Sequence, residues 1–293
     1  MSNHQIEQFS NGSFSVRNLE LNECMHSSIG PWTEAQQIYL SQSSLVERLT
    51  LLAEKPGSPL FVIYDLGLGI AANSISVFEA LNAISGPLSW NSLPQVSLIS
   101  FETDLEGIKN ALAHPDLFPF LSRNAAVLKT LIETRQWSGK LDSGISLRWD
   151  LKVGDFRDQI AQCPTADLIF FDLYSPKSCP DLWGVQTFRA LSQKSHFPQN
   201  PDDRETLLMT YSASTAARAA LMLNGFFVGK GIATQGKRET TLANTRFCSL
   251  SSPLSKDWLE HWHRSSRPLP ADYSGPLTEK DRELIVSKVL RAL

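Results

Sequence analysis

The pattern of hydrophobic and polar positions changes its period at one stretch of the chain, residues 60–73. Residues 60–66 form an apolar run with β-branched and aromatic members, which is typical of a buried central strand. From Ala71 onward the apolar positions follow the helical period instead. Their stripe consists of Ala71, Ile75, Phe78, Leu81 and Ile84. Because Gly67 and Gly69 lie between the two segments, the pattern predicts a strand, a tight glycine turn and a helix start in succession.

Strand and helix patterns alternate along the rest of the chain. Strand-like runs occur at 96–102, 147–153, 167–172 and 207–211, and a strand pair is predicted at 226–233 and 241–250. A first helix is predicted after a capping box formed by Thr33 and Gln36. Further helical patterns cover 105–113, 125–135 and 156–162. Three more helices are predicted to start at Pro180, at a cap formed by Ser212 (ending at 223) and near Thr278. Residues 1–19 are predicted to be a flexible or edge-strand leader, and residues 22–32 and 85–94 to be loops. This alternation predicts an α/β protein.

Composition and charge narrow the class of protein. The chain has 293 residues, of which 42% are hydrophobic and 19% are charged, so it can bury a large core. Its formal net charge is -3 and its pI is about 6.1. These values carry no global signature of a nucleic-acid-binding protein, and any contact with RNA must come from a local patch.

Cysteines and the N-terminal segment bear on the compartment. Four cysteines, Cys24, Cys163, Cys179 and Cys248, are widely spaced without a C-x-x-C pair, which favours a reducing cytoplasm and argues against structural zinc. The first 18 residues lack an apolar signal-peptide core, and no run approaches the roughly 20 apolar residues of a membrane span. We therefore expect a cytoplasmic protein with no membrane segment and no metal.

Four carboxylates lie at or near the carboxyl ends of successive predicted strands: Asp65, Glu102, Asp155 and Asp172. In open α/β sheets, ligands bind at the carboxyl ends of the strands. Glu102 can accept hydrogen bonds from ribose hydroxyls, and Asp155, in a Gly-Asp turn, can accept one from an adenine amino group. Asp172 follows three apolar residues, where a carboxylate is costly unless it has a partner or faces a ligand.

The glycine turn itself helps to choose between nucleotide cofactors. Ala72 stands where the third glycine of a dinucleotide fingerprint would fall, and no phosphate-seeking Lys or Arg is near. A cofactor with a carboxylate and no pyrophosphate, such as S-adenosyl-L-methionine, therefore agrees with the turn better than NAD does.

Structural explanations stay open for these positions. A glycine turn can exist without a ligand, Glu102 and Asp155 can be solvated loop acids, and Asp172 can cap a helix or a loop. His261 and His263 are two residues apart and do not suit a metal site. Trp258 and Trp262 are predicted to form a packing stripe. Four basic residues are predicted to form either an anion patch or a solvated hairpin face: Lys230, Lys237, Arg238 and Arg246.

The segment after the strand at 167–172 resembles a known family. Its letters are Asp-Leu-Tyr-Ser-Pro-Lys at 172–177 and Pro-Asp-Leu-Trp at 180–183. They are similar to the Asp-Gly-Phe-Ala-Pro…Asn-Pro-Asp-Met-Trp motif of the MnmC methyltransferase domain, the tRNA 5-methylaminomethyl-2-thiouridine methyltransferase family. Further likenesses lie at 65–73, 100–102, 154–155 and 236–239, in the order of the family and within residues 20–248.

The resemblance implies a Rossmann-like methyltransferase fold with a mostly parallel seven-stranded sheet and an antiparallel terminal strand. It implies S-adenosyl-L-methionine as cofactor and an aminomethyl group on a tRNA wobble uridine as acceptor. The implied cofactor-binding residues are Asp65, Gly67, Gly69, Asn73, Glu102 and Asp155, and the implied catalytic residues are Asp172 and Tyr174. The implied substrate-binding residues are Met25, His26, Pro176, Lys237 and Arg238.

The implied organisation has three parts. These are an N-terminal extension and helix at 1–58, the methyltransferase domain at 59–250 and a helical tail at 251–293. The oxidoreductase domain that some members carry finds no room in this length, so we expect a stand-alone and divergent member.

Departures from the family pattern fall mainly on the substrate side. Ala71 and Leu173 replace glycines, Tyr174 replaces phenylalanine, Met25 and His26 replace Tyr-Phe, and Gln36 stands where arginine is expected. Three alternatives therefore stay open: an aminopropyltransferase-like enzyme, a methyltransferase for another small amine or RNA, and a noncatalytic methyltransferase-like binding subunit.

Overall fold

The computed structural model describes residues 3–55, 59–84, 93–234 and 238–291. The chain divides into two compact units, Met1–Gln159 and Ile160–Leu293. Most of the loop predicted at 85–94 lies outside the described residues. The boundaries predicted at 58 and 250 stay predictions.

The first unit begins with a small antiparallel sheet. The sequence predicted either a flexible leader or an edge strand for residues 1–19. Its strands, in the order β1-β2-β3, are β1 His4–Gln8, β2 Phe14–Asn18 and β3 Glu23–Cys24. In the β1–β2 pairing His4 lies opposite Asn18. Beyond β3, the Met25 backbone N–H donates to Val16 O at 2.9 Å, so the sheet fixes residue 25. The edge-strand alternative is therefore correct, and the predicted loop at 22–32 contains β3 and a helix start.

Two short helices follow, separated by a π-helical turn. They are α1 Pro31–Glu34, the π turn Ala35–Leu40 and α2 Leu45–Ala53. The capping box predicted at Thr33 is wrong, because the helix begins two residues earlier, with Pro31 at its first position and Gly30 at φ 89° as the cap. The Glu34 carboxylate instead accepts the backbone N–H of Ser27 at 2.8 Å.

The larger sheet region of the first unit has four strands in the order β4-β5-β7-β6. The strands are β4 Leu60–Leu66, β5 Gln95–Glu102, β6 Gln136–Lys140 and β7 Ser146–Val153. β4, β5 and β7 are parallel, and β6 is an antiparallel edge strand. The accompanying helices are α3 Ala72–Ala83, α4 Glu106–Leu112, α5 Pro119–Arg123, α6 Ala125–Thr134 and α7 Phe156–Gln159. The buried core centres on Ile63, Leu98 and Trp149.

The second unit contains four strands in the order β10-β11-β9-β8. These are β8 Leu168–Phe171, β9 Leu207–Thr210, β10 Phe227–Gly231 and β11 Thr240–Asn244. β8 and β9 are parallel, while β11 is antiparallel to both β9 and β10. The helices are α8 Val185–Ser192, α9 Thr215–Leu223, α10 Lys256–Arg264 and α11 Glu279–Leu290.

Helix starts in the second unit differ in part from the sequence prediction. The helix predicted from Pro180 is a 3₁₀ turn, Pro180–Trp183, followed by a separate α8. Asp272 of the tail accepts the first two backbone N–H groups of α8, at 2.9 and 3.0 Å. The predicted cap at Ser212 is wrong, because Ser214 caps α9, whereas the start near Thr278 is confirmed.

The tail packs apolar side chains, as its spacing predicted. Trp258 and Trp262 are buried and stack with ring centroids 6.2 Å apart, which confirms the packing stripe. Among the described residues, no helix has both the length and the apolar character needed to cross a membrane.

The fold class is confirmed as mostly parallel α/β. The described strands of this α/β region number eight, four in each unit, where the resemblance implied seven. The additional strand is β6, whose sequence Gln-Trp-Ser-Gly-Lys carries too little apolar character for a strand prediction.

Candidate functional site

The glycine turn after β4 is fixed to the end of β5. The backbone N–H groups of Gly67 and Leu68 both donate to Phe101 O, at 3.1 and 3.0 Å. Gly67 and Gly69 have φ values of 88° and 54°, a region that glycine enters without steric cost. Ala71 has φ 65° and caps α3 in the same left-handed conformation. The turn therefore carries strain at the position where the resembling family has glycine.

Glu102 lies against this turn. Its Oε2 accepts the backbone N–H of Gly69 at 2.9 Å, and its Oε1 accepts the N–H groups of Thr103 and Asp104 at 2.8 and 3.2 Å. Burial raises the pKa of Glu102, and these hydrogen bonds act in the opposite direction. Two of the predicted cofactor-binding residues, Gly69 and Glu102, are thus in direct contact.

The same carboxylate retains capacity for a ligand. An ionised carboxylate offers about four lone-pair sites, and Oε2 receives one hydrogen bond from the residues described here. A ribose hydroxyl that approaches the end of β5 can therefore be accepted by Oε2. This chemistry agrees with a nucleoside cofactor.

Asp65 is the most deeply buried of the predicted site residues, with an exposed fraction of 0%. Its Oδ2 accepts the hydroxyl groups of Ser74 and Ser100, the latter at 3.1 Å, and Ser100 also accepts the indole N–H of Trp149 at 3.0 Å. Its Oδ1 has no hydrogen-bond partner among the described residues. Burial raises the pKa of Asp65 to about 7. These contacts link β4, α3, β5 and β7 beneath the turn, and a role in cofactor binding stays a prediction.

Asp155 follows β7 in the turn that begins with Gly154 at φ 123°. Both carboxylate oxygens contact Arg157, with Nε at 3.0 Å from each, and Oδ1 accepts the Arg157 backbone N–H at 2.9 Å. These bonds lower the pKa of Asp155. Since about a third of the side chain is exposed, an ionised acceptor is available at the end of β7.

Asn73 lies in the first turn of α3, with an exposed fraction of 6%. Its backbone oxygen accepts the Ser76 hydroxyl at 2.7 Å. The asparagine is thus placed directly after the glycine turn. Its predicted role in cofactor binding stays a prediction.

Met25 and His26 also lie at the glycine turn. A β-carbon added at Gly69 would be 3.7 Å from Met25 Sδ and 3.9 Å from His26 Nε2. The Met25 methyl group packs against Gly107 of α4, where a β-carbon would clash with it. The structure thus brings two predicted substrate-binding residues next to Gly69, a predicted cofactor-binding residue, which is not evident from their separation in sequence.

In the second unit, Asp172 directly follows β8 and is half-buried. The two residues after it are held through their backbone oxygens. Leu173 O accepts the Tyr211 hydroxyl at 3.0 Å, and Tyr174 O accepts the Trp183 indole N–H at 2.8 Å. Trp183 in turn packs edge-on against Phe171, with centroids 4.8 Å apart.

The rest of this segment forms a tight turn. Ser175 O accepts the backbone N–H groups of Ser178 and Cys179 at 3.0 and 2.9 Å, and half-buried Pro176 lies inside that turn. Trp183, the last residue of the Pro-Asp-Leu-Trp motif that carries the family resemblance, therefore helps to hold the segment that contains Asp172 and Tyr174.

The four basic residues that were considered for an anion patch have different surroundings. Lys237 lies outside the described residues, and Arg238 is exposed. Glu239 contacts the buried Arg218 guanidinium, with Oε1 at 2.6 Å from Nη1, and Lys230 Nζ at 3.1 Å from Oε2. Arg246 pairs with Glu205 at 2.9 Å. Ion pairs thus engage two of the four basic residues that were considered for an anion patch.

Sequence reasoning missed the serines that support the site. Ser74 and Ser100 bind Asp65, and Ser15 binds His26 Nδ1 at 3.0 Å. The one available signal was a pair of serines, Ser97 and Ser100, inside the otherwise apolar β5 run. Among the described residues, no group of three or more His, Cys, Asp or Glu side chains could hold a metal ion.

Part of the chain is similar to a methyltransferase family. Residues 125–246 match a family model described as S-adenosyl-L-methionine-dependent methyltransferase. The matched segment contains Asp155, Asp172 and Tyr174.

Curated relatives have one recurring name, tRNA 5-methylaminomethyl-2-thiouridine biosynthesis bifunctional protein MnmC. The protein of Polaromonas naphthalenivorans is 27% identical over 223 residues, which cover 73% of this chain and 31% of that one. The protein of Azoarcus sp. is 28% identical over 226 residues, with the same two shares. The chain thus spans about a third of the length of these relatives.

A solved structure supports the fold. The crystal structure of MNMC2 from Aquifex aeolicus superposes with a TM-score of 0.68 at 20% identity, and covers 99% of this chain and 85% of that one. At this identity the likeness concerns the fold alone. The Rossmann-like methyltransferase architecture implied by the sequence motifs is confirmed.

Proposed function

We propose, from the premise that this chain carries an MnmC-like, S-adenosyl-L-methionine-dependent methyltransferase domain, that its acceptor is an amine on tRNA. The amine is the aminomethyl group of a modified wobble uridine. The names of the relatives, which refer to tRNA 5-methylaminomethyl-2-thiouridine biosynthesis, support this acceptor. The observation that carries the proposal is the segment after Asp172. Its sequence resembles the family motif, and the backbone oxygens of Leu173 and Tyr174 are held by hydrogen bonds.

The methyl donor would be held by residues at the ends of three parallel strands. The glycine turn follows β4, Glu102 ends β5, and Asp155 follows β7. In this arrangement Glu102 accepts the ribose hydroxyls and Asp155 accepts the adenine amino group. Bound S-adenosyl-L-methionine supplies an electrophilic methyl group on a positively charged sulfur.

Asp172 would act on the amine. An aliphatic ammonium has no lone pair, so it must lose a proton before its nitrogen can attack the methyl carbon. Asp172 can orient the amine and accept that proton, directly or through water. The nitrogen–carbon bond then forms while the carbon–sulfur bond breaks, with its electron pair going to sulfur. In-line positioning would supply much of the remaining acceleration.

Tyr174 and Pro176 would form the nucleoside side of the site. The Tyr174 ring can stack on the uracil, a common mode of recognition for unstacked RNA bases. Arg238, which is exposed, and its sequence neighbour Lys237 would contribute local positive charge in a chain whose net charge is -3. RNA binding through such a small patch is expected to weaken as salt is raised.

The test is transfer of a radiolabelled methyl group to matched substrates. These are tRNA that carries a 5-aminomethyl wobble uridine, the same tRNA with unmodified uridine, total RNA and small amines. Label should enter the first substrate alone. Asp172→Asn should lower the rate at least 10²-fold, the lower end for general acid–base residues, whereas Asp116→Asn, at an exposed turn, should leave it unchanged.

The other outcomes distinguish the alternatives. Label in small amines but not in tRNA would replace the proposed acceptor, and binding of the methyl donor without transfer to any acceptor would favour a noncatalytic subunit. Retained transfer by Asp172→Asn would remove Asp172 from the mechanism.

A further inference from the structure

His26 and Met25 lie beside the glycine turn, at the same residue, Gly69, that binds Glu102. Gly69 donates its backbone N–H to Glu102 Oε2 at 2.9 Å, and its α-carbon faces the two N-terminal side chains. The built β-carbon position lies 3.9 Å from both Cε1 and Nε2 of His26. Gly69 therefore has two neighbours of different chemistry, the Glu102 carboxylate from β5 and the His26 imidazole from the segment after β3.

The imidazole of His26 has a fixed orientation. Its Nδ1 lies 3.0 Å from the hydroxyl of Ser15, a fully buried residue of β2. The exposed fraction of His26 is 9%, and burial lowers its pKa to about 3, so the ring is neutral near pH 7. Within the described part of the chain, no residue is hydrogen-bonded to Nε2, the ring nitrogen on the Gly69 side.

The hydrogen bond to Ser15 is compatible with either neutral tautomer of the ring. In the tautomer in which the Ser15 hydroxyl donates to Nδ1, the ring proton sits on Nε2, and this nitrogen, beside the turn, can donate a hydrogen bond. The start of the twelve-residue helix α3, three residues after Gly69, also favours a negatively charged ligand group. Both features suit a carboxylate.

The order of the strand ends assigns the part of the ligand that reaches this place. β4, β5 and β7 are successive parallel neighbours, roughly 4.8 Å apart. If Glu102 takes the ribose and Asp155 takes the adenine, the ligand runs from β7 toward β4. Its amino-acid end then lies at the glycine turn.

We propose that His26 binds the amino-acid end of the methyl donor by donating a hydrogen bond from Nε2 to its carboxylate. Met25 packs beside it and seals the turn. The inference rests on the proposed methyl donor but not on the proposed acceptor. It moves both residues from the substrate side, where the sequence analysis placed them, to the methyl-donor side.

Calorimetric titration with two ligands tests this assignment. S-adenosylhomocysteine has the amino-acid end, whereas 5′-methylthioadenosine lacks it and keeps the nucleoside. His26→Phe should weaken S-adenosylhomocysteine binding at least about tenfold, the lower end for one hydrogen bond to a charged group, and leave methylthioadenosine binding unchanged. His26→Gln, which restores an N–H donor, should bind within about threefold of the wild type. His114→Phe, on an exposed position of the same unit, is the matched control.

Each outcome decides the point. Equal loss of affinity for both ligands would place His26 at the nucleoside. Unchanged binding of both ligands by His26→Phe, with weaker tRNA binding, would return His26 to the acceptor side and overturn the inference. Absence of S-adenosylhomocysteine binding by the wild type would overturn the proposed methyl donor as well, whereas binding without methyl transfer to tRNA would overturn the acceptor alone. Thermal unfolding of each variant establishes that it is folded.

Discussion

Asp65 should make the stability of this protein depend on pH. The carboxyl group is fully buried, its Oδ2 accepts hydrogen bonds from Ser74 and Ser100, and its Oδ1 has no partner among the described residues. Burial therefore raises the pKa of Asp65 from its ordinary value of 3.8 to about 7. The folded state holds a proton that the unfolded chain has already released in the window between these values.

The sign and size of the effect follow from linkage. Because the folded state binds more protons in this window, the free energy of unfolding falls as pH rises from about 4 to about 7, and the effect levels off above pH 7. A shift of about three pKa units corresponds to roughly 4 kcal/mol over the whole window. About 3 kcal/mol of this separates pH 4.5 from pH 8.

Asp65→Asn removes the titration and keeps the shape of the side chain. The amide oxygen can accept the two serine hydroxyls, and the amide nitrogen takes the place of Oδ1. Urea unfolding followed by tryptophan fluorescence, at pH 4.5, 6 and 8, gives the free energy of unfolding of each protein. The free energy of unfolding of the variant minus that of the wild type should rise by about 3 kcal/mol from pH 4.5 to pH 8.

Asp116→Asn, at an exposed position, is the matched control and should follow the wild type at each pH. Parallel curves for the wild type and Asp65→Asn would refute the reasoning, because they would mean that Asp65 titrates alike in the folded and unfolded states.

Three further substitutions test local features by the same unfolding assay. Ala71→Gly should stabilise the protein by about 1 kcal/mol, because Ala71 has φ 65°, whereas Ala72→Gly in the helix should destabilise it by up to about 1 kcal/mol. Asp272→Ala should cost about 1–2 kcal/mol, since it removes the carboxylate that accepts two N–H groups at the start of α8. Glu239→Gln should cost about 2–3 kcal/mol, because the Arg218 side chain is only 2% exposed and loses its anionic partner. Destabilisation by Ala71→Gly would contradict the strain at Ala71, and unchanged stability in Asp272→Ala would contradict its capping role. A cost of Glu239→Gln that persists when Arg218 is replaced by Met would contradict the importance of the ion pair.

The strand ends were predictable because a buried strand and the acid at its end form a local pattern in the sequence. The apolar run before Gly67 and the acids Glu102 and Asp172 occupy the places that the strand pattern gave them. An acid directly after an apolar strand is conspicuous, since such a position is costly without a partner.

Contacts between distant segments left no such mark. The proximity of His26 to Gly69 depends on the small N-terminal sheet, and the link of Ser100 to Asp65 depends on the register of β4 with β5, in which these two residues are paired. Neither depends on a periodic pattern. The capping box at Thr33 failed for a local reason, because Pro31 is better suited to the first helical position and starts the helix earlier.

The acceptor is the central claim of this account. Its most direct test is to incubate the wild-type protein and S-adenosyl-L-methionine with tRNA that carries a 5-aminomethyl wobble uridine, and to analyse the nucleosides by mass spectrometry. The account predicts that this nucleoside gains one methyl group on its amino nitrogen. An unchanged nucleoside, with protein that binds S-adenosylhomocysteine, would contradict it.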